Sequence, residues 1–378
     1  MKCKLVDVCE FRTGKVFVEK LHRDNYISTE NMLPDKAGVQ AATSLPSVLT
    51  TQEYCVGDVL VSNIRPYFKK IYFAKENGGC SNDVLVFRAK NNIYKKYLYY
   101  VLSDDNFFNY ATASAKGTKM PRGDKGAIMQ YTLNLPDLAT QKKIAKILSA
   151  LDDKIECNNQ INKNLEEQAQ SIFKKFFINI DLIPDGWSKG CLLDIADYLN
   201  GLAMQKFRPS ERDIGLPVLK IKELRQGMCD DSSEKCSSSI KEEYIVHDGD
   251  VIFSWSGSLL VDFWCGGTCG LNQHLFKVTS KNYDKWFYYF WTLYHLGRFS
   301  AIASAKATTM GHIKREDLMN AEVFLPSKKD YKKIDILLKP IVNLIIKNRI
   351  ENRKLAQLRD TLLPKLMSGE LDVSDINI

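Results

Sequence analysis

The side chains best placed for chemistry lie in polar loops. Ser62-Asn63-Ile64-Arg65-Pro66-Tyr67-Phe68-Lys69-Lys70 interleaves an amide, a guanidinium, aromatic rings and two ammonium groups. Asn pairs with adenine, Arg with guanine or a phosphate, and a tyrosine ring packs on sugar or base. Asn63, Arg65, Tyr67, Lys69 and Lys70 are therefore candidate nucleic-acid contacts. Ser254-Trp255-Ser256-Gly257-Ser258 holds the matching place later in the chain with different groups, as two readers of different sequences would. Ser254, Trp255, Ser256 and Ser258 are its candidates. Lys116-Gly117-Thr118-Lys119 and Lys306-Ala307-Thr308-Thr309 combine small residues with cations, which suits phosphate. Lys116, Thr118, Lys119, Lys306, Thr308 and Thr309 are candidates there, and Arg122, Lys314 and Arg315 extend the role.

Catalytic sets are missing. A phosphate-binding glycine loop would read GxxxxGK[ST] or GxGxxG, and neither occurs. The Asn/Asp-Pro-Pro-Tyr/Phe run with which DNA amino-methyltransferases grip a flipped base is also absent. Pro136-Asp137 followed by Asp152-Asp153-Lys154 is formally a nuclease pattern, but it falls on an expected helix. The ten cysteines are irregularly spaced without a CxxC pair, and the five histidines show no metal-ligand spacing. No metal site is expected, since zinc sites announce themselves as two close ligand pairs. Reduced thiols in a cytosol are the better reading.

The elements that must position these loops come in two copies. Gly57-Asp58-Val59-Leu60-Val61-Ser62 recurs as Gly249-Asp250-Val251-Ile252-Phe253-Ser254. Ser114-Ala115-Lys116-Gly117-Thr118-Lys119-Met120 recurs as Ser304-Ala305-Lys306-Ala307-Thr308-Thr309-Met310, and Leu135-Pro136 as Leu325-Pro326. The offset, about 190 residues, is far beyond any solenoid period. Short β-rich runs such as Asp58–Ile64, Lys70–Ala74 and Asp83–Arg88 are punctuated by Gly, Pro and Asn. Val246–Ser254 and Leu271–Thr279 are their counterparts, and the aromatic stretches Tyr94–Leu102 and Trp286–Leu296 have helical length. The expected fold is mixed α+β: two pseudo-repeated α/β globular domains separated by a long antiparallel two-helix coiled coil. The boundaries are 1–136 and 181–326 for the globular domains, 137–180 and 327–371 for the helices, and 372–378 for a tail.

Both helices carry a heptad seam. A 4-3 spacing selects Ile144, Leu148, Leu151, Ile155, Asn158, Asn162, Leu165, Ala169, Ile172 and Phe176. Shifted by 190 it selects Ile334, Leu338, Ile341, Ile345, Asn348, Asn352, Leu355, Arg359, Leu362 and Leu366. Antiparallel pairing sets Asn158 against Asn352 and Asn162 against Asn348, so these four are candidate register residues, because a seam Asn fixes register at a cost in stability. Pro340 is expected to kink the second helix or to move its start.

Composition agrees with a folded protein of two or three domains: 378 residues, 45% hydrophobic, 11% aromatic and 26% charged. No run approaches the ~18 apolar residues of a membrane span. The opening MKCKLVDVCEFRTGK lacks the apolar stretch of a secretory signal, so a soluble, cytoplasmic protein is expected. The net charge of +8 is uneven: residues 1–136 carry 19 cations against 13 anions, whereas 184–326 carry 16 against 18. That permits binding of a polyanion, chiefly by the first half.

Globular–helix–globular–helix with a half-chain duplication resembles the specificity subunit of type I restriction-modification systems. The resemblance covers the whole chain. It is carried by Leu362-Leu363-Pro364-Lys365-Leu366-Met367-Ser368-Gly369-Glu370-Leu371-Asp372-Val373, and by Leu135-Pro136-Asp137-Leu138 running into Gln141-Lys142-Lys143-Ile144. Gly215-Leu216-Pro217-Val218-Leu219-Lys220 looks like the opening of a family target-recognition domain, and the run from Ser304 through Ile313-Lys314-Arg315-Glu316-Asp317-Leu318 to Leu325-Pro326 also fits. The family's Pro-Pro-Leu-x-Glu-Gln helix opening is Pro136-Asp137-Leu138-Ala139-Thr140-Gln141 here and Pro326-Ser327-Lys328-Lys329-Asp330-Tyr331 in the second copy.

The resemblance implies a non-catalytic subunit whose globular domains each read one half of a bipartite, asymmetric site on double-stranded DNA. The helices would set the spacer and dock methyltransferase subunits, two per chain, which bind S-adenosylmethionine and methylate adenine N6. Restriction/translocase subunits would complete the assembly, and the chain itself would need no cofactor. A helix over 141–177 has 37 residues, ~55 Å at ~1.5 Å per residue, which caps the spacer at ~16 base pairs. The alternatives are a stand-alone duplicated DNA-binding or scaffold module without methyltransferase partners, and a self-sufficient nuclease or methyltransferase, which the missing motifs disfavour.

Overall fold

The computed structural model describes residues 1–305, 312–374 and 376. The chain forms two compact units. One joins Met1–Asp153 to Ala356–Ile378, and the other is the continuous stretch Lys154–Leu355.

Each unit is built on the same sheet. In the first, strands Cys9–Phe11, Val84–Ala89, Val59–Ser62 and Ile71–Phe73 lie side by side in that order, all antiparallel. In the second, the order is Asp197–Asn200, Leu275–Thr279, Val251–Ser254 and Leu260–Phe263, again antiparallel. The registers agree: Val59 lies opposite Phe87, and its repeat Val251 lies opposite Val278. Val59–Ser62 and Val251–Ser254 are buried along their whole length, which explains why they read as continuous apolar runs rather than alternating ones.

A second sheet in each unit keeps three strands and changes the fourth. Thr50–Tyr54, Gly78–Cys80 and Tyr26–Ile27 correspond to Ile245–Val246, Cys269–Leu271 and Leu216–Leu219, with the last pair parallel in both. The first unit adds Lys15–Phe17 beside Thr50–Tyr54, whereas the second adds Lys235–Cys236 at the opposite edge. Two-stranded ribbons, Lys2–Lys4 with Thr132–Asn134 and Ser188–Cys191 with Glu322–Leu325, complete the units.

The aromatic stretches form helices Lys95–Ser103 and Lys285–Ala305. Tyr97, Tyr100, Phe107 and Phe108 fill the first core together with Ile144, Leu148, Leu363 and Leu366. The second core gathers Phe173, Phe177, Trp286, Phe287 and Trp291. The first long helix runs Leu138–Phe173 and ends in a wider turn, Lys174–Ile178, where the Asn179 N–H reaches back to the Lys174 carbonyl at 2.8 Å. Phe173 and Phe177 both point inward from this end.

The second long helix, Lys328–Ser368, passes through Pro340 without interruption. The proline therefore does not move the helix start. Leu338 and Val342, on either side of it, are buried in the second core, and this packing offsets the one backbone hydrogen bond that a proline removes.

The helix openings are held alike by unlike residues. Buried Gln141 accepts the Tyr94 N–H through Oε1 at 2.7 Å. At the same place in the second copy, the Tyr331 hydroxyl accepts the Asp284 N–H at 2.7 Å. The altered second motif thus preserves the anchoring bond.

Within each unit the two long helices run antiparallel. In the first, Arg359 donates to Asp152 at 2.9 Å, and Asp152 also accepts from Tyr100 at 2.7 Å. In the second, Asn158 donates to Asn352 at 2.8 Å and Asn348 to Asn162 at 2.9 Å. Asn158, Asn162 and Asn348 are buried. Arg353 makes a bidentate pair with Asp248, both bonds 2.7 Å, and Arg349 joins Asp262 and Glu166 at 2.7 and 2.8 Å. Such forked pairs fix orientation as well as distance. We expect Asn158→Leu with Asn352→Leu to raise the melting temperature while loosening register, because leucine replaces a polar pair in an apolar seam. Thermal unfolding of the double variant checks this, and an unchanged melting temperature would count against it.

Candidate nucleic-acid interface

The loop after Val59–Ser62 is held by backbone. The Asn63 N–H donates to the Asp83 carbonyl at 2.8 Å, the Arg65 N–H to the Pro121 carbonyl at 2.8 Å, and the Gly123 N–H to the Asn63 carbonyl at 3.2 Å. Ile64 bridges Arg122. The second unit repeats the frame: the Trp255 N–H donates to the His274 carbonyl at 3.4 Å, the Ile313 N–H to the Trp255 carbonyl at 2.9 Å, and Ser256 bridges His312. Ser62 and Ser254 brace the two loops alike, each donating to the carbonyl two residues on.

Arg65 and Lys69 take the left-handed conformation, both at φ 50°, on either side of the short turn Pro66–Phe68. Asp35 and Lys36, at φ 53° and 63°, donate their N–H groups to the Phe68 and Lys69 carbonyls. Non-glycine residues at positive φ cost about 1 kcal/mol or more each. Among the described residues every such case converges on this one loop.

The candidate cations of the first unit are mostly engaged. Lys69 pairs with Asp105 at 3.0 Å, Lys116 with Asp124 at 2.6 Å, and Arg122 with Asp83 at 3.0 Å. Lys70 donates to the Thr29 carbonyl at 2.6 Å, and burial lowers its pKa. Asp124 holds Lys116 in its charged form, raising its pKa. Arg65 reaches the Lys119 carbonyl at 3.4 Å. Tyr67 is exposed with its ring against Phe68, and Thr118 and Lys119 are exposed. Asn63 is buried and serves the inside of the loop. A phosphate arriving here would exchange carboxylate partners for its own oxygens, at little cost for pairs this exposed.

In the second unit Ser254 and Ser256 are buried, Ser258 is exposed, and Trp255 is half-buried against Phe276 and His274. The Trp255 indole N–H donates to Asn200 at 2.9 Å, and the Ser256 hydroxyl meets His274 Nδ1 at 3.1 Å. Lys314 caps the short helix Arg315–Met319, its N–H donating to Asp317, and both Lys314 and Arg315 are exposed. Lys306, Thr308 and Thr309 lie outside the described residues. Asp83, Asn200 and His274 were missed by the sequence reading. A signal for Asp83 and His274 existed, since Gly79 and Gly270 stand the same four residues before them.

The formal nuclease pattern has other duties. Asp137 accepts the Ala139 and Thr140 N–H groups at the start of its helix, and Asp152 holds Tyr100 and Arg359. Among the described residues no three His, Cys, Asp or Glu side chains gather as metal ligands, and no helix is long and apolar enough to cross a membrane.

Comparison with known proteins gives a consistent result. The description "Type I restriction modification DNA specificity domain" matches this chain over residues 1–167 and 184–359. The chain is 26% identical over 314 residues to the type I restriction enzyme MjaIX specificity subunit of Methanocaldococcus jannaschii, covering 76% of this chain and 71% of that protein. It is 21% identical over 401 residues to the HindI specificity subunit of Haemophilus influenzae, covering 83% and 86%. Among solved structures, the type I restriction-modification S subunit from M. genitalium shares the fold, with a TM-score of 0.59 at 13% identity over 99% of this chain and 96% of that one.

Proposed function

This chain belongs to the type I restriction-modification DNA specificity family, and from that premise we propose that it is the sequence-recognition subunit of such a complex. Each globular domain reads one half of a bipartite, asymmetric site on double-stranded DNA. The chain performs no chemistry itself. Two methyltransferase subunits dock on its helices, bind S-adenosylmethionine and methylate adenine N6; restriction/translocase subunits join for cleavage, in the cytoplasm. The exposed cations Lys116, Lys119, Arg122 and Lys314, with Lys306, contact phosphates, and Arg315 faces the DNA beside them. Tyr67 and Trp255 stand at the base-reading loops, and the paired Asn residues keep the register of the helices that set the spacer.

One observation carries this reading: the same strand-and-loop frame occurs twice, bonded in the same way, while the loops it holds differ in side chain. A repeated frame with exchanged contents fits two readers of two different half-sites. Base-resolved mapping of adenine methylation in host DNA, with and without the gene, tests it. Loss of one motif with two short half-sites around a fixed degenerate spacer is the expected result. An unchanged pattern while the chain co-purifies with its methyltransferase would overturn the reading.

A further inference from the structure

A cleft recurs at the same place in each unit. In the first it measures about 360 Å³ and is walled by Phe11, Thr13, Gln52, Leu85 and Lys125. In the second it measures about 480 Å³ and is walled by Tyr198, Asn200, Tyr244, Phe276 and Arg315. These are the same five positions. Phe11 lies opposite Phe87, and Tyr198 lies opposite Val278, the two residues that face Val59 and Val251. Counting along those strands equates Thr13 with Asn200 and Leu85 with Phe276. Gln52 and Tyr244 each stand five residues before the repeated glycine, Gly57 or Gly249. Lys125 and Arg315 each open a short helix three residues beyond the residue that bridges the loop, Arg122 or His312.

The frame around the clefts is kept, with Gly-Asp-Val at 57–59 and 249–251 and Ser at 62 and 254, whereas all five wall positions differ. Each cleft also holds an amide whose orientation its partner dictates. Gln52 Nε2 donates to the Arg12 carbonyl at 3.1 Å, and a carbonyl can only accept. That leaves Oε1, an acceptor, without a partner among the described residues. In the second cleft Asn200 Oδ1 accepts from the Trp255 indole at 2.9 Å, and an indole N–H can only donate. That leaves the two Nδ2 hydrogens, both donors, in a cleft that the exposed Arg315 also walls.

Resting on the DNA-recognition reading above, we propose that these equivalent clefts read base edges. Gln52 in the first takes the exocyclic amino group of an adenine or cytosine, and Asn200 with Arg315 in the second takes the ring-carbonyl oxygen of a guanine or thymine. The two clefts are specificity determinants of opposite polarity. Their places in the two domains assign them to opposite half-sites. Adenine N6 and cytosine N4 are the donors of the major groove, and guanine O6, thymine O4 and the purine N7 atoms are its acceptors, so the two amides seek groups of opposite kind.

The test is affinity selection from a pool of randomised duplexes by the complex reconstituted with its methyltransferase. Binding is the readout, so loss of methyl transfer cannot hide the answer. Gln52→Ala and Asn200→Ala are expected each to relax one position, in opposite half-sites, by roughly 5- to 100-fold in preference, leaving the other half-site and the spacer intact. Asn200→Asp still accepts from Trp255 but presents an acceptor, so the preferred base at its position shifts from a carbonyl-bearing to an amino-bearing one. Asn200 is exposed and Gln52 half-buried, so neither truncation opens a core. A bipartite site selected by the unmodified complex and retained unchanged by both alanine variants overturns the cleft assignment alone. An unmodified complex that selects no bipartite site overturns the DNA-recognition reading, and the assignment with it.

Discussion

Four residues inserted after Asp153 in the first long helix, and four after Leu355 in the second, are expected to move methylation to sites whose spacer is about two base pairs longer. These are the points at which each helix passes from one unit to the other. Four helical residues add ~6 Å, against ~3.4 Å per base step. Inserting in both helices leaves every antiparallel pair intact, with Arg359 still on Asp152 below the insertion and Asn352 still on Asn158 above it. The effect is large because a mispositioned second domain forfeits a whole half-site, and each mismatched base alone costs about 1–3 kcal/mol. Methylation of the native motif should fall to background while both half-sites keep their bases. Base-resolved methylation mapping checks this; a changed base within a half-site would contradict the role of the helices as a ruler.

Phe177→Ala is expected to destabilise the second unit by about 3–5 kcal/mol. Phe177 is fully buried where the first long helix ends. Its ring centre lies 5.1 Å from Phe173, 5.4 Å from Trp187, 5.5 Å from Phe287 and 5.8 Å from Trp291. Truncation opens a cavity among bulky aromatic neighbours that cannot collapse into it, which puts the loss at the upper part of that range. The melting transition should fall by roughly 6–20 °C. Calorimetry measures it directly, and a shift below ~2 °C would mean that the surrounding rings close the gap.

Much of the fold was legible in the sequence because the repeat fixes its own landmarks. The Gly-Asp-Val turns located both central strands, and seam arithmetic set Asn158 opposite Asn352 and Asn162 opposite Asn348, where the hydrogen bonds lie. Pro340 does not move the helix start because a proline rule is local, whereas burial of Leu338 and Val342 is tertiary. The matched duties of Gln141 and Tyr331 were hidden for a related reason: an amide oxygen and a phenol share no sequence signal, yet each can accept one N–H. The clefts were invisible because Thr13 and Asn200, or Gln52 and Tyr244, lie where the copies share no residues. Strand pairing equates Thr13 with Asn200, and only the structure shows that these positions wall one cleft with Gln52 or Tyr244. The loops were found by composition, but composition does not tell an outward Tyr67 from an inward Asn63.

The first unit is assembled from both ends of this sequence, and that sets an order of events during synthesis. Its core closes only when Leu363, Leu366 and Val373 reach Ile144 and Leu148. Some 200 residues separate the two contributions, a delay of roughly 10–40 s at ribosomal speed. The second unit is continuous and folds in that interval. Meanwhile the apolar flank of the first stays uncovered and accepts any equivalent closing segment, including that of a neighbouring nascent chain on the same messenger. Exchange of closing segments between such chains is the characteristic assembly error of this architecture. Slower translation across residues 154–355 prolongs the opportunity for it.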